Sequence, residues 1–210
     1  KIMNKIALII GFGSIGRQHH KSLTNSKKFK KIYIMSKHYK GKDTINNLRE
    51  IFKINPSIII ICSNTSDHFN QLSYLEKNFK DKIILVEKPL FQKSKNLKIK
   101  NNKVYVGYNL RYKEMLQYLK NLLKKRKVLF ANINCYSYLP KWRKRNYSLS
   151  YSADKKLGGG VHLDLSHEID LTNWLFGKLK VKYKILKKIS NLNINSFDFF
   201  HLQASSNYSK

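Results

Sequence analysis

One lysine of the sequence stands at a position where enzymes often place chemistry. Lys88 lies within Glu87-Lys88-Pro89, directly after the apolar run Ile83–Val86. A residue that precedes proline favours extended backbone, so we expect the apolar run to be a strand that ends near the lysine. In open α/β sheets, ligands bind at the carboxyl ends of the strands. The sequence therefore predicts an ammonium group at the ligand-binding edge of a sheet.

A second set of polar residues follows the glycines Gly158-Gly159-Gly160. Asp164 and His167 are three residues apart within a predicted helix at 161–176, which puts them on one face. A carboxylate beside an imidazole orients the ring and raises its basicity, so this pair could provide a general base. Asp170 lies one turn further along the same face. An ordinary surface helix is the alternative, but the glycines allow another chain segment to approach closely, which favours a functional role.

A glycine motif near the amino end, Gly11-Phe12-Gly13-Ser14-Ile15-Gly16, follows a predicted strand and begins a predicted helix. Its first glycine permits a tight turn, its second lets the backbone approach a pyrophosphate, and its third lets helix and strand pack closely. The helix N-terminus supplies N–H groups to the phosphates. In this context the motif predicts a dinucleotide site, and a purely structural turn is the less favoured interpretation.

Two further strand ends could complete the dinucleotide site. Ser36-Lys37-His38 follows the second predicted strand, where NAD sites place an acidic residue against the ribose 2′-hydroxyl. A hydroxyl and a lysine suit a 2′-phosphate instead, which favours NADP, although these could be ordinary loop residues of a lysine-rich chain. Ser63 and Asn64 end the third strand and could line the nicotinamide ribose. For His68, just beyond, we expect a place at a helix N-terminus without a catalytic role.

The elements that position these residues change character after Gly107. Before it, apolar runs alternate with amphipathic stretches, which predicts a parallel sheet with right-handed crossovers, and the continuous Ile and Val runs suit strands buried on both faces. The predicted domains are residues 1–107 and 108–210. The first has predicted strands at 6–10, 31–36, 58–62, 82–86 and 103–106, and helices at 15–25, 43–52, 67–79 and 94–99. The second has predicted helices at 112–125 and 161–176, and strands at 128–138, 180–188 and 195–204.

Composition narrows the classes of function. No apolar run reaches the length of a membrane span, and the amino end leads directly into a strand, which argues against a signal peptide. The two cysteines lack metal-ligand spacing and fit a cytoplasmic location. The net charge of +30 is typical of nucleic-acid binding. However, lysine is spread along the chain together with Asn and Ile, as A+T-rich codons produce, and only residues 141–145 interleave basic and aromatic side chains. We therefore expect no metal, no membrane partner and no nucleic acid.

On these motifs the chain resembles the Gfo/Idh/MocA family of NAD(P)-dependent oxidoreductases. The resemblance runs from Lys5 to about Phe199. It rests, in order, on Gly11–Arg17, Glu87-Lys88-Pro89, the segment from Gly107 to Tyr112, and the segment from Gly158 to Asp170. It implies a doubly wound parallel Rossmann sheet followed by an α+β domain with an open, mainly antiparallel sheet.

The resemblance also implies roles for single residues. Lys88, Asp164 and His167 match the family's catalytic residues, although in many members the Asp–His pair is separated by one residue more. The implied cofactor-binding residues are Gly11, Phe12, Gly13, Ser14, Ile15, Gly16, Ser36, Lys37, Ser63, Asn64, Glu87 and Lys88. The implied substrate-binding residues are Tyr108, Arg111, Trp142, Asp164 and His167.

The function that follows is hydride transfer between NADP, or NAD, and a secondary alcohol or ketone of a sugar or sugar derivative. The loop 138–153 resembles members found with surface-polysaccharide sugar pathways, and the full-length family implies a homo-oligomer. Family members continue with further strands, so we expect a chain truncated at its C-terminus. The alternative function is an inactive remnant that still binds dinucleotide.

Overall fold

The computed structural model describes residues 5–124, 126–142, 144 and 146–206. The chain divides into two compact units, Lys1–Gly107 and Tyr108–Lys210. Of the basic stretch at 141–145, Arg143 and Arg145 lie outside the described residues, as does Lys125 at the end of a predicted helix.

The first unit is a doubly wound Rossmann sheet. Its six strands are all parallel and lie in the order β3-β2-β1-β4-β5-β6. The strands are β1 (Ile6–Ile10), β2 (Lys31–Met35), β3 (Thr44–Ile45), β4 (Ile58–Ile61), β5 (Ile83–Val86) and β6 (Lys103–Val106). The helices are α1 (Ser14–Ser26), α2 (Ile51–Ile54) and α3 (Thr65–Asn78). This strand order confirms the predicted fold class, because it is the order that dinucleotide-binding sheets share.

Continuous apolar strands place the core on both faces of this sheet. Leu8 and Ile59 point to one face, where they pack with Leu72 and Leu75 of α3. Ile9 and Ile60 point to the other face, where Leu23 of α1 lies against them. Alternate residues of one strand are thus buried on opposite sides, as a parallel sheet between two helical layers requires.

Two predicted helices of the first unit are wrong. In place of the helix at 43–52, Thr44–Ile45 pairs with β2, a 3-10 turn follows at Leu48–Glu50, and α2 is only one turn long. The side chain of Asn47 caps that turn by accepting from the Arg49 N–H at 3.0 Å, and so begins helical structure later than predicted.

The helix predicted at 94–99 is also absent from this fully described segment. The Glu76 carboxylate of α3 accepts hydrogen bonds from the backbone N–H groups of Lys100 and Asn101, both at 2.6 Å. These contacts attach the residues that directly follow the segment to α3, and residues 94–99 form an irregular loop.

The second unit combines helices with a two-stranded antiparallel sheet. Its regular elements are α4 (Glu114–Leu123), α5 (Val161–Asp164), α6 (His167–Phe176), β7 (Leu179–Lys187) and β8 (Phe199–Ser206). Strands β7 and β8 pair antiparallel with an irregularity between Val181 and Tyr183. Gly177 ends α6 with a φ of +79°, as the sequence predicts for a helix C-cap.

The strand predicted at 128–138 is wrong. Although its apolar residues alternate, none of the described strands pairs with it, and Leu129 and Phe130 are 86% and 83% exposed. An alternating pattern makes a strand only where a neighbouring strand accepts its hydrogen bonds, and the described part of this unit provides none at that segment.

The helix predicted at 161–176 is interrupted. It ends at Asp164, and α6 begins at His167, because Leu165 leaves helical geometry with φ −102° and ψ 35°. The prediction that Asp164 and His167 share one continuous helical face is therefore wrong.

No helix among the described residues is both long and apolar enough to cross a membrane. Those residues also contain no group of His, Cys, Asp and Glu side chains that could hold a metal ion.

Candidate active and cofactor-binding site

The glycine motif forms a tight turn between β1 and α1. Gly11 has a φ of +92°, and a Cβ on it would lie 2.5 Å from the Ser63 backbone nitrogen. A Cβ on Gly16 would lie 2.4 Å from the Gly11 carbonyl oxygen. Only glycine fits these two places, because the backbone atoms they would meet cannot move aside.

Gly13 differs from the other two glycines, because a Cβ on it would meet no described atom within 4 Å. It is the N-cap of α1, a helix of 13 residues, and the exposed residues Ser14 and Ile15 follow it in the first turn. A glycine cap has no side chain to occupy the N–H groups of that turn. The open space beside these groups fits the pyrophosphate of a dinucleotide.

The strand register brings the predicted cofactor-binding segments into one row. Met35, Ile10, Ile61 and Val86 are the last residues of neighbouring strands and lie in register with one another. The residues that follow are Ser36, Gly11, Cys62 and Glu87. Three sequence segments of the predicted site and the glycine turn therefore begin side by side at the carboxyl edge of the sheet, which is the ligand-binding edge of this fold.

The end of β2 carries a hydroxyl and a cation. Ser36 Oγ accepts from the His38 N–H at 3.3 Å, and Lys37 is exposed. No acidic residue follows β2 until Asp43. A second cation, Arg17 of α1, lies over the ring of Phe12, with its guanidinium carbon 4.9 Å from the ring centroid. Arg17 directly follows the glycine motif, which is the signal that could have marked it as a candidate.

The end of β4 is held by side chains of α3. Ser63 Oγ donates to Gln71 Oε1 at 2.7 Å. Asn64 is exposed and precedes the first turn of α3 as its N-cap. The neighbouring Cys62 is a free thiol whose pKa is raised by burial and, to a smaller extent, by the charge of Glu87. It therefore stays protonated and unreactive.

Lys88 follows β5 in a bend and is half-buried. The Lys88–Pro89 peptide bond is cis. On one side of the lysine, Glu87 Oε1 lies 2.6 Å from Nε2 of His19, a residue of α1. On its other side, the carbonyl oxygens of Pro89 and Leu90 lie 3.1 Å and 3.3 Å from Nδ1 of His68, a residue of α3.

Sequence reasoning missed how closely His68 is connected to the site. The side chain is only 1% exposed, and its Nε2 lies 3.2 Å from the Ser63 carbonyl oxygen. Burial lowers the pKa of His68, although the three backbone carbonyls and the Glu87 charge oppose this effect. The signal was its spacing, because Leu72 and Leu75 follow it at the intervals that define one buried face of a helix.

In the second unit, Asp164 is buried and connected to the preceding loop. One carboxylate oxygen accepts from Ser152 Oγ at 3.1 Å, and the other accepts from the Gly160 N–H at 3.2 Å. A Cβ on Gly159 would lie 2.3 Å from the Tyr151 carbonyl oxygen, so the glycines do allow a chain segment to approach closely. These contacts order the residues immediately before His167.

Three of the predicted substrate-binding residues meet at the beginning of α6. The ring of Tyr108 packs edge-on against the ring of His167, with the centroids 5.7 Å apart. Arg111 binds Asp170 through both carboxylate oxygens, with Nε donating to Oδ2 at 2.8 Å. The guanidinium charge is therefore paired with a carboxylate that is 8% exposed. Burial raises the pKa of the Tyr108 phenol, which keeps it protonated.

The remaining predicted substrate-binding residue, Trp142, contacts a different part of the unit. Its Nε1 donates to Ser137 Oγ at 2.5 Å, within the aromatic and basic loop. The described contacts thus assign Trp142 to the loop, while Tyr108 and Arg111 contact α6.

Known proteins share both the sequence features and the fold. Residues 5–104 match a family described as the oxidoreductase family with an NAD-binding Rossmann fold, GFO_IDH_MocA. No curated protein sequence matches the chain.

Similar solved structures include WlbA dehydrogenase from Bordetella pertussis in complex with NADH and UDP-GlcNAcA, with 13% identity, a TM-score of 0.76 and 97% of this chain covered. A myo-inositol dehydrogenase from Corynebacterium glutamicum has 15% identity and a TM-score of 0.67 over 98% of this chain. An NAD-binding protein from Listeria innocua has 16% identity and a TM-score of 0.67 over 95%.

The chain spans 67%, 66% and 64% of the lengths of these three proteins, respectively. At such low identity the structural likeness establishes the fold alone, and the glycine turn and the strand order agree with the sequence match on a dinucleotide-binding Rossmann fold. Residues 5–104 thus match the Gfo/Idh/MocA family of oxidoreductases over just under half of the chain, and this part of it is an NAD-binding Rossmann fold.

Proposed function

We propose that this protein is an NADP- or NAD-dependent oxidoreductase that transfers a hydride between the nicotinamide and a secondary alcohol or ketone of a sugar or sugar derivative. One observation carries the proposal. The row of strand ends places the glycine turn, Ser36, Ser63 and Lys88 at the same edge of one sheet. A cation and a dinucleotide site at one edge are the parts that such a reaction needs.

The bound nicotinamide supplies the chemistry of accepting or donating the hydride. Lys88 donates a hydrogen bond to the substrate oxygen and stabilises the negative charge that develops there. His167 takes the hydroxyl proton as general base in the direction of alcohol oxidation. Asp164 serves His167 by ordering the chain before it, a role that its bonds to Ser152 and Gly160 support.

A sugar or sugar derivative is the proposed class of substrate. The WlbA structure contains UDP-GlcNAcA, and the Corynebacterium protein is a myo-inositol dehydrogenase. Both compounds carry secondary hydroxyl groups, which supports a polyhydroxylated substrate for this chain as well. Tyr108, Arg111 and Trp142 remain proposed substrate-binding residues.

The setting of the enzyme is part of the same proposal. We place it in the cytoplasm as a homo-oligomer of carbohydrate metabolism, with a link to surface-polysaccharide sugars. Both cysteines are free thiols, which suits a reducing compartment.

Calorimetry with NADPH and NADH tests the cofactor part of the proposal. The hydroxyl of Ser36 and the ammonium of Lys37 suit a 2′-phosphate, so we expect tighter binding of NADPH. Ser36→Asp introduces a charge that repels this phosphate and accepts from a ribose 2′-hydroxyl. It should shift the preference towards NADH by about tenfold or more.

Ser94→Asp adds the same charge in an exposed loop, and there the preference should not change. Failure of the unmodified chain to bind either dinucleotide would overturn the proposal. It would also exclude the alternative function, an inactive remnant that still binds dinucleotide. Tighter binding of NADH would overturn only the preference for NADP.

A further inference from the structure

Two histidines from different helices contact the residues on either side of Lys88. His19 of α1 bonds to the carboxylate of Glu87, and His68 of α3 contacts the carbonyl oxygens of Pro89 and Leu90. We propose that His19 and His68 are positioning residues that hold the Lys88 turn, residues 87–90, in its active geometry. The inference rests on the role of Lys88 in the proposed function, and it adds two residues to that reaction.

The turn needs such support because it lies beyond the strand. The Glu87 N–H still donates to the Ile61 carbonyl and continues the sheet ladder at 2.9 Å. Residues 88–90 then form a bend and belong to no strand. The position of a lysine side chain on a bend depends on the backbone that carries it. The histidine contacts fall on the residues immediately before and after that lysine.

His19 connects the turn to the cofactor helix. The His19 and Glu87 side chains are 23% and 15% exposed, so their contact is largely shielded from water. The Glu87 carboxylate is also confined by Gly107, since a Cβ there would lie 3.1 Å from the carboxylate oxygens. His19 is the sixth of the 13 residues of α1, the helix whose N-terminal turn faces the proposed pyrophosphate site. One rigid helix thus contacts both the cofactor site and the residue before Lys88.

His68 connects the turn to the end of β4. Its Nδ1 faces two carbonyl oxygens of the turn, and its Nε2 faces the Ser63 carbonyl oxygen. A carbonyl oxygen only accepts hydrogen bonds, so each contact is a bond only when the facing nitrogen carries a hydrogen. Two acceptors at Nδ1 against one at Nε2 favour the tautomer with its hydrogen on Nδ1. In that tautomer His68 donates directly to the Lys88 turn.

Paired substitutions separate positioning from simple packing. An asparagine at position 68 can place its amide nitrogen near the site of Nδ1 and keep the donor to the turn. A glutamine there can reach only the site of Nε2, so it loses that donor. At position 19, glutamine can still donate to Glu87, whereas leucine cannot. The matched controls are Lys21→Gln on the exposed face of α1 and Asn70→Ala on the exposed face of α3.

The first measurement is amide hydrogen exchange in the cofactor-free protein, which needs no substrate. Because Pro89 has no N–H, the amides of Lys88, Leu90 and Phe91 report on the turn. We expect His68→Gln and His19→Leu to accelerate exchange there by about tenfold, with the rest of the sheet unchanged. His68→Asn, His19→Gln and both controls should stay close to the unmodified protein.

The second measurement is steady-state turnover with a substrate found in a panel of sugars and nucleotide sugars. His68→Gln and His19→Leu should lower kcat about tenfold or more, while the NADPH dissociation constant stays within about threefold. His68→Asn and His19→Gln should restore most of kcat. Substitutions that act only on packing would not show this dependence on the placement of one nitrogen.

The possible outcomes distinguish this inference from the proposed function. Exchange in the turn that is unaffected by His68→Gln and His19→Leu would overturn the inference whether or not the enzyme is active. Equal damage by His68→Asn and His68→Gln would overturn it for His68. Accelerated exchange with undiminished kcat would also overturn it. The variants could show the expected exchange pattern while the unmodified protein binds NADPH but turns over no member of the panel. That result would support the two contacts and count against the proposed function.

Discussion

At the scale of single residues, the site depends on glycines, which have no side chain, as much as on residues with a reactive side chain. Gly16 allows α1 to touch the Gly11 carbonyl, and Gly13 leaves space in front of the helix. Lys88 then adds the one cation that we assign to the reacting oxygen. The predictions for the glycines concern the space that a side chain would fill, whereas the prediction for Lys88 concerns its charge.

Alanine at the two glycines should separate folding from binding. Gly13→Ala places its methyl group in open space, so the melting temperature should change by less than about 2 °C. That space is the proposed pyrophosphate site, so NADPH affinity should fall about tenfold or more. Gly16→Ala places a methyl group 2.4 Å from a backbone oxygen and should lower the melting temperature clearly. Calorimetry and thermal unfolding measure both effects, and unchanged NADPH binding by Gly13→Ala would contradict the site.

Lys88→Ala should abolish turnover and leave NADPH binding nearly intact. The ammonium stabilises charge that exists only in the transition state, so its loss should lower kcat by about a hundredfold or more. Lys93→Ala removes an exposed lysine from the following loop and is the matched control. Equal turnover by Lys88→Ala and the unmodified protein would remove Lys88 from the mechanism.

At the scale of elements, a buried carboxylate of α3 attaches the end of the loop between β5 and β6 to that helix. Glu76 is buried in α3, and its carboxylate accepts from two backbone N–H groups and from Asn102 Nδ2, the last at 2.8 Å. Burial raises the pKa of Glu76, but these hydrogen bonds outweigh burial, and the pKa is lowered overall. The carboxylate form therefore stabilises the attachment of residues 100–102 to α3.

This attachment should weaken in acid. The folded-state pKa of Glu76 lies below the ordinary value of 4.5, so its contribution to the free energy of unfolding is complete above pH 4.5 and is lost as the pH falls through the folded-state pKa. Glu76→Gln should cost about 1–3 kcal/mol at pH 7 and less in acid. Urea unfolding at both pH values measures this. Glu114→Gln, at an exposed site, should change stability less at either pH, and a Glu76→Gln cost that does not depend on pH would contradict the assignment.

At the scale of the whole molecule, the parts of the chain that are proposed to bind the cofactor all belong to one unit. Lys1–Gly107 contains the glycine turn, the ends of β2, β4 and β5, and both apolar clusters of the parallel sheet. The contacts of His167 with Tyr108 and of Arg111 with Asp170 lie within Tyr108–Lys210. The proposed cofactor site and the proposed base thus belong to separate units of the chain.

A fragment of residues 5–107 should therefore fold and bind NADPH. Its core is complete without the second unit, so we expect a dissociation constant within about threefold of that of the full chain. Circular dichroism and calorimetry measure folding and binding, and the fragment with Gly13→Ala serves as the control that should not bind. A fragment that folds but binds no dinucleotide would contradict this prediction.

Much of the first unit could be predicted from the sequence, because its signals are local. Strands buried on both faces appear as unbroken apolar runs, and the predicted strand at 6–10 matches β1 residue for residue. The glycine motif predicts its own turn, since only glycine fits where a backbone oxygen lies 2.4 Å from the Cβ position. The wrongly predicted elements are those at 43–52, 94–99 and 128–138. Their local residue patterns carry no information about the distant segments that they contact or fail to contact.

The sequence by itself thus determined the doubly wound sheet, the dinucleotide motif and the place of Lys88 at a strand end, since each follows from neighbouring residues. Only the tertiary structure decided which side chains hold that lysine's turn. His19 is 68 residues from Glu87 and His68 is 21 residues from Pro89, and the pairing of distant strands brings them together. It also decided that Asp164 binds Ser152, 12 residues earlier, and that the predicted helix is interrupted after Asp164.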